Sequence, residues 1–318
     1  MARADTDYRN ALAEAAQAAA LDPPAIVVPE DREVTLGGLR FHYLDWGNPD
    51  RPTVVLLHGG GQTAHTWDLA ALLLRERYHL VALDQRGHGD SAWTPDPEQE
   101  TAPLMVDDTR AFLAHIESEY PGSSPLALVG MSMGGGVALR YAAENPPALR
   151  ALVIVDVAPE TIPRGGEEMR RFRRDTETLD RFEDFLERAV RFNPTRPPAH
   201  LRYSLLHALR ETDDGRWTWK RDARRQEDDE DEDDAAREDA RHVREREMWA
   251  AVRAIRVPTF FVHGGESAVV TRDAVRRAAE AMHDGRWTSV EGASHTVQGD
   301  RPAEFARAVD GFLSSLSG

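Results

Sequence analysis

The feature that most constrains this chain is a serine framed by glycines, Gly-Met-Ser-Met-Gly at residues 130–134. An apolar run at 126–129 precedes it and an alanine- and leucine-rich run at 133–144 follows it, which predicts a strand, a tight turn and a helix. Such a turn strains the serine backbone, and side chains at the glycine positions would meet neighbouring backbone. The pattern therefore predicts that the Ser132 hydroxyl is a nucleophile raised at the carboxyl edge of a sheet.

Apolar runs and helical patterns alternate on both sides of that turn. Runs typical of buried parallel strands occupy residues 53–58, 79–84, 126–130, 151–156 and 259–264. Helical patterns occupy residues 67–76, 101–118, 133–144, 272–283 and 303–316. Residues 33–36 and 39–47 have the pattern of a hairpin joined across Gly37 and Gly38. Together they predict an α/β fold, with a mostly parallel sheet flanked by helices on both faces.

One long interval, residues 159–253, interrupts the alternation, because it has helical patterning, heavy charge and no strong strand run. We expect a helical lid there, inserted into a core formed by residues 30–158 and 254–318. Residues 1–29 are expected to form an N-terminal helix or arm. Eight consecutive acids, Glu227–Asp234, predict a solvated acidic loop over residues 226–240 of the lid.

Composition excludes several classes of protein. The chain has no cysteine, which rules out disulfides, thiolate metal sites and a cysteine nucleophile. Its formal net charge of −16 argues against a nucleic-acid partner, because phosphates would be repelled. No window is apolar enough to cross a bilayer, and the first twenty residues mix charges unlike a secretion signal. We expect a soluble cytoplasmic protein, and the sequence leaves its oligomeric state open.

Two further segments supply what a serine nucleophile requires. His-Gly-Gly-Gly at residues 58–61 ends a strand, and glycines there let backbone N–H groups face a substrate oxygen. We assign the N–H groups of Gly60 and Met133 to an oxyanion hole, with Gly61 as a neighbouring substrate contact. His295 follows a short strand in the last quarter of the chain. It is the candidate base, because serine is a weak nucleophile until an imidazole accepts its proton.

Taken together, these segments resemble the α/β-hydrolase superfamily, over residues 30 to 316. The resemblance is carried by HGGG (58–61), DQRGHGDS (84–91), GMSMGG (130–135), VDVAPE (155–160) and GASH (292–295). It implies the α/β-hydrolase fold with a lid, a Ser–His–acid triad, and no metal or organic cofactor. It also implies that Asp84, Arg86 and His88 hold a turn and take no part in the chemistry.

The triad acid departs from the usual pattern of that superfamily. Most members carry an aspartate after the seventh strand, in a stretch like HGxxDxVVP, whereas this chain reads HGGESAVVT at 263–271 with Ser267 at that position. Asp156 ends the preceding strand at the carboxyl edge, where catalytic groups collect. Similar small esterases with an RGGxS stretch use the acid at that earlier place. We therefore assign Asp156 as the acid, with Glu266 as the alternative.

The resemblance also implies acyl transfer to water. The expected activity is that of a serine hydrolase that cleaves carboxylic esters or lactones of small to medium apolar substrates through an acyl-enzyme. A small-molecule ester is the expected partner, and Trp67, Trp217 and Trp219 are candidate aromatic contacts for it. Two alternatives stay open: a carbon–carbon bond hydrolase of a β-diketone-like substrate, and a non-catalytic ligand receptor on the same fold.

Overall fold

A computed structural model describes residues 2–97, 101–121, 126–162, 171–172, 177–222, 224 and 234–316. Its strands are β1 (Glu30–Leu36), β2 (Leu39–Asp45), β3 (Thr53–Leu57), β4 (His79–Leu83), β5 (Leu126–Met131), β6 (Leu149–Val155), β7 (Thr178–Leu179), β8 (Leu209–Glu211), β9 (Trp217–Trp219), β10 (Thr259–Gly264) and β11 (Gly285–Val290). Within the described ranges, eight of them form one sheet in the order β1-β2-β4-β3-β5-β6-β10-β11.

That sheet is mostly parallel. Strands β4, β3, β5, β6, β10 and β11 pair in parallel, whereas β2 runs antiparallel to β1 and β4. The hairpin between β1 and β2 turns through Gly37 and Gly38, whose φ angles of 56° and 84° lie in the left-handed region that favours glycine. The predicted hairpin and the predicted mostly parallel sheet are confirmed.

Helices cover both faces of this sheet. They are α1 (Ala2–Ala18), α2 (Asp68–Leu74), α3 (Ala102–Glu119), α4 (Met133–Ala143), α5 (Phe182–Phe192), α6 (Pro198–Ala208), α7 (Asp234–Ala254), α8 (Arg272–Glu280), α9 (Val297–Asp300) and α10 (Pro302–Ser314), with a 3-10 turn at Ala64–Trp67. Side chains from α1, α2 and α10 fill the core on one face, and side chains from α3, α4, α7 and α8 fill it on the other. None of the described helices is long and apolar enough to cross a membrane.

The interval predicted as a helical lid also contains a small sheet. Strands β7, β9 and β8 form an antiparallel sheet in that order, so the interval expected to be a helical lid is helical only in part. Each of these strands has only two or three residues, fewer than the run of about four over which alternation indicates a strand. Phe182, Phe185 and Trp219 are buried together between this sheet and helices α5 and α6, which gives the segment a hydrophobic core of its own.

Helix α7 changes two predicted boundaries. It begins at Asp234, so residues 234–240, predicted to lie in an acidic loop, are helical; residues 226–233 of that loop lie outside the described residues. Near its other end, Met248 and Val252 are 1% and 0% exposed and pack into the core beside α4. The last turns of α7 therefore belong to the helical layer of the core, not to the lid, because their apolar side chains face the sheet.

The register of the parallel strands brings distant residues together at one edge. Met131 at the end of β5 pairs with Val155 at the end of β6, and Val155 pairs in turn with Val262 of β10. Ser132 and Asp156 each follow directly after one of these paired residues. Their backbones therefore leave the sheet side by side at its carboxyl edge, where open α/β sheets bind ligands.

Candidate active site

The backbone at Ser132 adopts the strained conformation that the sequence predicts. Its φ of 51° and ψ of −116° place a non-glycine residue at positive φ, between the end of β5 and the first turn of α4. A Cβ at Gly130 would lie 2.4 Å from the Gly134 carbonyl oxygen, and one at Gly134 would lie 2.4 Å from the Leu57 carbonyl oxygen. The two glycines are therefore required by the close approach of β3, β5 and α4.

An unbroken chain of hydrogen bonds joins Ser132, His295 and Asp156. Ser132 Oγ lies 2.9 Å from His295 Nε2, and His295 Nδ1 lies 2.7 Å from Asp156 Oδ2. A carboxylate only accepts hydrogen bonds, so His295 Nδ1 donates to it, and Nε2 of the neutral ring then accepts from the serine hydroxyl. The three residues predicted from the sequence come together in the arrangement that activates a serine.

Asp156 is fixed from several directions. Its side chain is 1% exposed, and its φ of 53° is a second positive value at this edge of the sheet. The N–H of Gly264 donates to Oδ1 at 2.8 Å, and the hydroxyl of Ser267 donates to Oδ2 at 2.5 Å. These two hydrogen bonds hold the carboxylate in place with Oδ2 directed at the imidazole.

Ser267 is a site residue that the sequence analysis noted only as a missing aspartate. Its hydroxyl donates to Asp156 while accepting from the N–H of Val269 at 3.1 Å. The position that carries the acid in the usual pattern therefore holds a donor that orients the acid from the neighbouring strand. Glu266, the alternative acid, is exposed, and in this structure it is Asp156 that bonds the His295 ring.

The proposed oxyanion loop is tied to the first turn of α4. The N–H of Gly134 donates to the His58 carbonyl oxygen at 3.1 Å, which holds the loop after β3 against the first turn of the helix that follows Ser132. A Cβ at Gly60 would lie 3.8 Å from Met133 Sδ, so Gly60 and Met133 are neighbours across the turn. Gly61 follows with a φ of 73°. At the start of a helix, N–H groups lack intrahelical partners and favour negative charge.

The buried histidine of this loop is structural. His58 is 0% exposed; its Nδ1 donates to the Gly59 carbonyl oxygen at 2.8 Å, and its Nε2 accepts from the N–H of Gln85 at 3.0 Å. Burial lowers the pKa of His58, which keeps the ring neutral and able to accept. His58 thereby joins the loop after β3 to the turn that follows β4.

That turn, at residues 84–91, is held by its own hydrogen bonds. Asp84 accepts from the N–H groups of Ala64 at 2.6 Å and Asp90 at 2.9 Å, and Arg86 forms a two-pronged ion pair with Asp108 at 2.5 and 2.6 Å. His88 is fully buried, and burial lowers its pKa to about 3. These contacts agree with the scaffold role expected for this stretch.

The three tryptophans predicted to contact substrate are packed elsewhere. Trp67 is 0% exposed in the core, with its ring centroid 5.8 Å from that of Phe305. Trp217 packs edge-on against Phe182 at 5.4 Å, and Trp219 packs edge-on against Phe185 at 5.4 Å. Trp67 and Trp219 are buried in hydrophobic cores, whereas Trp217 is half-buried and packs against one.

A buried ion pair connects the inserted segment to the histidine loop, and sequence analysis did not identify it. Arg196, between α5 and α6, pairs with Asp300 at 2.5 Å, and their side chains are 12% and 8% exposed. The other oxygen of Asp300 accepts from the N–H of Ser294 at 2.8 Å and from its hydroxyl at 2.5 Å. Because Ser294 precedes His295, this pair helps to fix the loop that carries the imidazole.

Residues with the spacing of metal ligands lie outside the triad. In the described part of the chain, two groups have potential ligand atoms within 4.8 Å of one another. One comprises His65, Asp68 and His207, and the other comprises His42, Asp84 and Asp90. Neither of these two groups includes Ser132, His295 or Asp156.

Comparison with known proteins gives a consistent picture. A model of the alpha/beta hydrolase family matches residues 54–308. The esterase Rv0045c of Mycobacterium tuberculosis is 34% identical over 312 residues, which make up 96% of this chain and 95% of that protein. The sn-1-specific diacylglycerol lipase ABHD11 of Mus musculus is 27% identical over 292 residues, 87% of this chain and 85% of that protein.

Solved structures share the fold of this chain. A structure of the M. tuberculosis esterase Rv0045c matches with a TM-score of 0.73 and 30% identity, over 95% of this chain and 97% of that chain. The structure of E-2-(acetamidomethylene)succinate hydrolase matches with a TM-score of 0.75 at 20% identity, over 90% of this chain and 99% of that chain. At that identity the second match is evidence of the fold alone.

Proposed function

The chain belongs to the alpha/beta hydrolase family and is a hydrolase of ester bonds, and we propose that it acts through an acyl-enzyme formed on Ser132. The observation that carries this proposal is the hydrogen-bonded series from Ser132 Oγ through His295 to Asp156, with distances of 2.9 and 2.7 Å. The ester-cleaving relatives favour this function over the carbon–carbon hydrolase and receptor alternatives.

In the acylation step, Ser132 Oγ attacks the ester carbonyl carbon while its proton passes to His295 Nε2. The negative charge that develops on the carbonyl oxygen is stabilised by the N–H groups of Gly60 and Met133, and each such donor contributes about 3 kcal/mol. The imidazolium then gives its proton to the leaving alkoxide, so that the alcohol departs and the acyl group stays on Ser132.

Deacylation follows the same steps with water as the nucleophile. His295 accepts a proton from water as its oxygen attacks the acyl carbon, and then returns that proton to Ser132 Oγ as the acid product leaves. Asp156 remains a carboxylate throughout; it holds Nδ1–H and stabilises the imidazolium in both steps. Each half-reaction uses the same oxyanion hole.

The proposed substrate is a small to medium apolar ester or lactone. The half-buried side chain of Met133 supports this class, because its sulfur lies beside Gly60 and presents an adaptable apolar surface to the acyl group. Trp219 and the half-buried Trp217 pack within the inserted segment, so the support for this substrate class comes from Met133.

A panel of p-nitrophenyl esters from acetate to octanoate, with a lactone, tests both the acyl-enzyme mechanism and the proposed substrate class. Ser132→Ala is expected to lower kcat by about 10⁴-fold or more, because the base and acid act only through that hydroxyl. Ser315→Ala, at the end of α10, is the matched control. A fluorophosphonate probe, followed by mass spectrometry of the labelled peptide, should modify Ser132; labelling of a different residue, or full turnover by Ser132→Ala, contradicts the acyl-enzyme assignment.

A further inference from the structure

A second histidine–aspartate group, His65, Asp68 and His207, joins three segments of the molecule. His65 lies in the 3-10 turn after the oxyanion loop, Asp68 begins α2, and His207 lies in the last turn of α6. Potential ligand atoms of the three side chains all lie within 4.8 Å of one another. We call these residues the 65–68–207 cluster. Nothing in the proposed hydrolysis uses them.

The carboxylate of this cluster is only half satisfied. Asp68 is 0% exposed. Its Oδ2 accepts from Tyr8 at 3.1 Å, from Tyr203, and from His65 Nδ1 at 2.8 Å. Its Oδ1 is buried and has no hydrogen-bond partner among the described residues. A buried polar atom left in this state is costly, and its presence in a folded protein points to a ligand.

The charge of the carboxylate is also poorly matched by the protein. Among the described residues, its only ion-pair partner is His65, and no lysine or arginine reaches it. The other donors to Asp68 are the neutral hydroxyls of Tyr8 and Tyr203. Buried charges are ordinarily paired with a cation or bound to a metal, so the environment of Asp68 favours an added positive charge.

The second group with the spacing of metal ligands, His42, Asp84 and Asp90, differs in how its buried carboxylate is hydrogen-bonded. In it, Asp84 Oδ1 accepts from the N–H of Ala64 at 2.6 Å, and Oδ2 accepts from His42 at 2.7 Å and from the N–H of Asp90 at 2.9 Å. Asp90 is exposed and pairs with Lys220 at 2.7 Å. Both oxygens of that buried carboxylate accept hydrogen bonds, so neither is left without a partner.

From this difference we propose that the 65–68–207 cluster binds a divalent transition-metal ion of the Zn²⁺ class. Two imidazoles and a carboxylate form a donor set that suits Zn²⁺, with a water or a tyrosine oxygen completing four ligands. On binding, the metal replaces the proton that His65 Nδ1 shares with Asp68, and this proton is released to solvent. No oxidation or reduction is involved.

Binding requires one local rearrangement. The rings of His65 and His207 are stacked, with centroids 3.7 Å apart and planes inclined by 24°. Ligand bonds of about 2.1 Å place two ligand atoms of a tetrahedral ion about 3.4 Å apart. The His207 ring therefore turns about its side-chain bonds so that one nitrogen faces Asp68. Because His207 belongs to the inserted segment and Asp68 to the core, the ion cross-links the two.

Zn²⁺ titration of a Ser132→Ala/His295→Ala protein tests the site without competition from the catalytic imidazole. We expect one Zn²⁺ per chain by isothermal titration calorimetry, and a rise in Tm because the ion binds only the folded state. Co²⁺ should give the visible absorption of a tetrahedral nitrogen–oxygen site. In the same background, His207→Gln should weaken Zn²⁺ binding by more than about 100-fold, since loss of a direct ligand exceeds the effect of an outer partner.

Two controls distinguish binding at this cluster from binding to surface histidines. His242→Ala, which removes an exposed histidine from α7, should leave Zn²⁺ affinity unchanged. Asp68→Asn should abolish binding as His207→Gln does; circular dichroism verifies that both variants are folded, and His65→Gln replaces either one that is not. Binding that survives His207→Gln, or the absence of any Zn²⁺ binding by the Ser132→Ala/His295→Ala protein, overturns the proposal. Either result leaves the acyl-enzyme assignment untouched.

Discussion

Two buried histidine–aspartate pairs in this protein have the same hydrogen-bond distance, and we propose different purposes for them. His295 Nδ1 lies 2.7 Å from Asp156, and His42 Nδ1 lies 2.7 Å from Asp84. Both imidazoles are buried, and both carboxylates are almost completely enclosed. The distance between the ring and the carboxylate therefore does not distinguish a catalytic base from a histidine that only stabilises the fold.

The second ring nitrogen makes the distinction. His295 Nε2 faces the hydroxyl of Ser132 at 2.9 Å, whereas His42 Nε2 faces the carboxylate of Asp31 at 3.0 Å. A ring between two carboxylates must donate at both nitrogens, which requires the cation. Burial alone disfavours that cation, but the hydrogen bonds to Asp31 and Asp84 outweigh burial and raise the pKa of His42 to about 9. His42 cannot act as a base near neutral pH, because it already holds the proton.

The largest expected effect comes from replacing the carboxylate of Asp156, the partner of His295, with an amide. Asp156→Asn is expected to lower kcat by about 10⁴-fold with the fold intact, because an amide donates to the ring and stabilises the tautomer that cannot accept the serine proton. Steady-state hydrolysis of a p-nitrophenyl ester measures the effect. Glu266→Gln is the matched control and should retain activity; the opposite pattern would move the acid to Glu266.

Replacing the histidine of each pair with glutamine should affect a different property in each case: stability for His42 and activity for His295. His42→Gln is expected to lower the free energy of unfolding by about 3 kcal/mol, since it leaves the buried Asp84 without its cation. Activity per folded molecule should be unchanged. His295→Gln should show the reverse, with activity lost and stability nearly kept. Urea unfolding and ester hydrolysis on both variants measure this; equal losses of activity in the two would abolish the distinction.

A third test concerns the residue that orients the catalytic carboxylate. Ser267→Ala removes one donor to Asp156 and is expected to lower kcat by about 10-fold with little change in KM, since a hydrogen bond to a charged group is worth about 1.5 kcal/mol. Ser267→Thr keeps the hydroxyl and should restore most of the rate. A loss in Ser267→Ala that appears mainly in KM would mean that Ser267 affects substrate binding instead.

The placement of Ser132 beside Asp156 was predictable because the sequence signals for it are local and lie where strands end. Gly130 and Gly134 mark the tight turn at Ser132, and the run before Asp156 places that residue at the carboxyl edge beside it. The role of Ser267 was not predictable in the same way, because a serine that donates to a carboxylate from the neighbouring strand leaves no pattern in its own segment.

The packing of the inserted segment was the least predictable part. Trp217 and Trp219 alternate along β9 as strand residues do, yet both contact phenylalanines of α5, because the short sheet lies against that helix. Trp67 resembled a pocket residue by its position after the oxyanion loop but packs against Phe305 from the far end of the chain. Which partner an aromatic ring meets depends on tertiary contacts that periodicity does not encode.

The smallest expected effect comes from removing one of the two carboxylates bonded to His42 while keeping its imidazole ring. His42 has a folded pKa of about 9 against an unfolded value of 6.5. Its stabilising contribution is therefore complete below pH 6.5 and is lost as pH rises through 9. Asp31→Asn removes one of the two carboxylates, whose side chain is 67% exposed, so we expect a loss of at most about 1 kcal/mol near pH 7.

The informative measurement is the pH at which that contribution disappears. With one carboxylate left, the pKa of His42 falls, so the decline in the urea midpoint of Asp31→Asn should end at lower pH than that of the wild type. Glu33→Gln breaks an exposed ion pair with Arg40 on the same hairpin and serves as the control. An unchanged pH window in Asp31→Asn would mean that Asp84 alone holds His42 protonated, and that the group at Nε2 does not separate the two pairs.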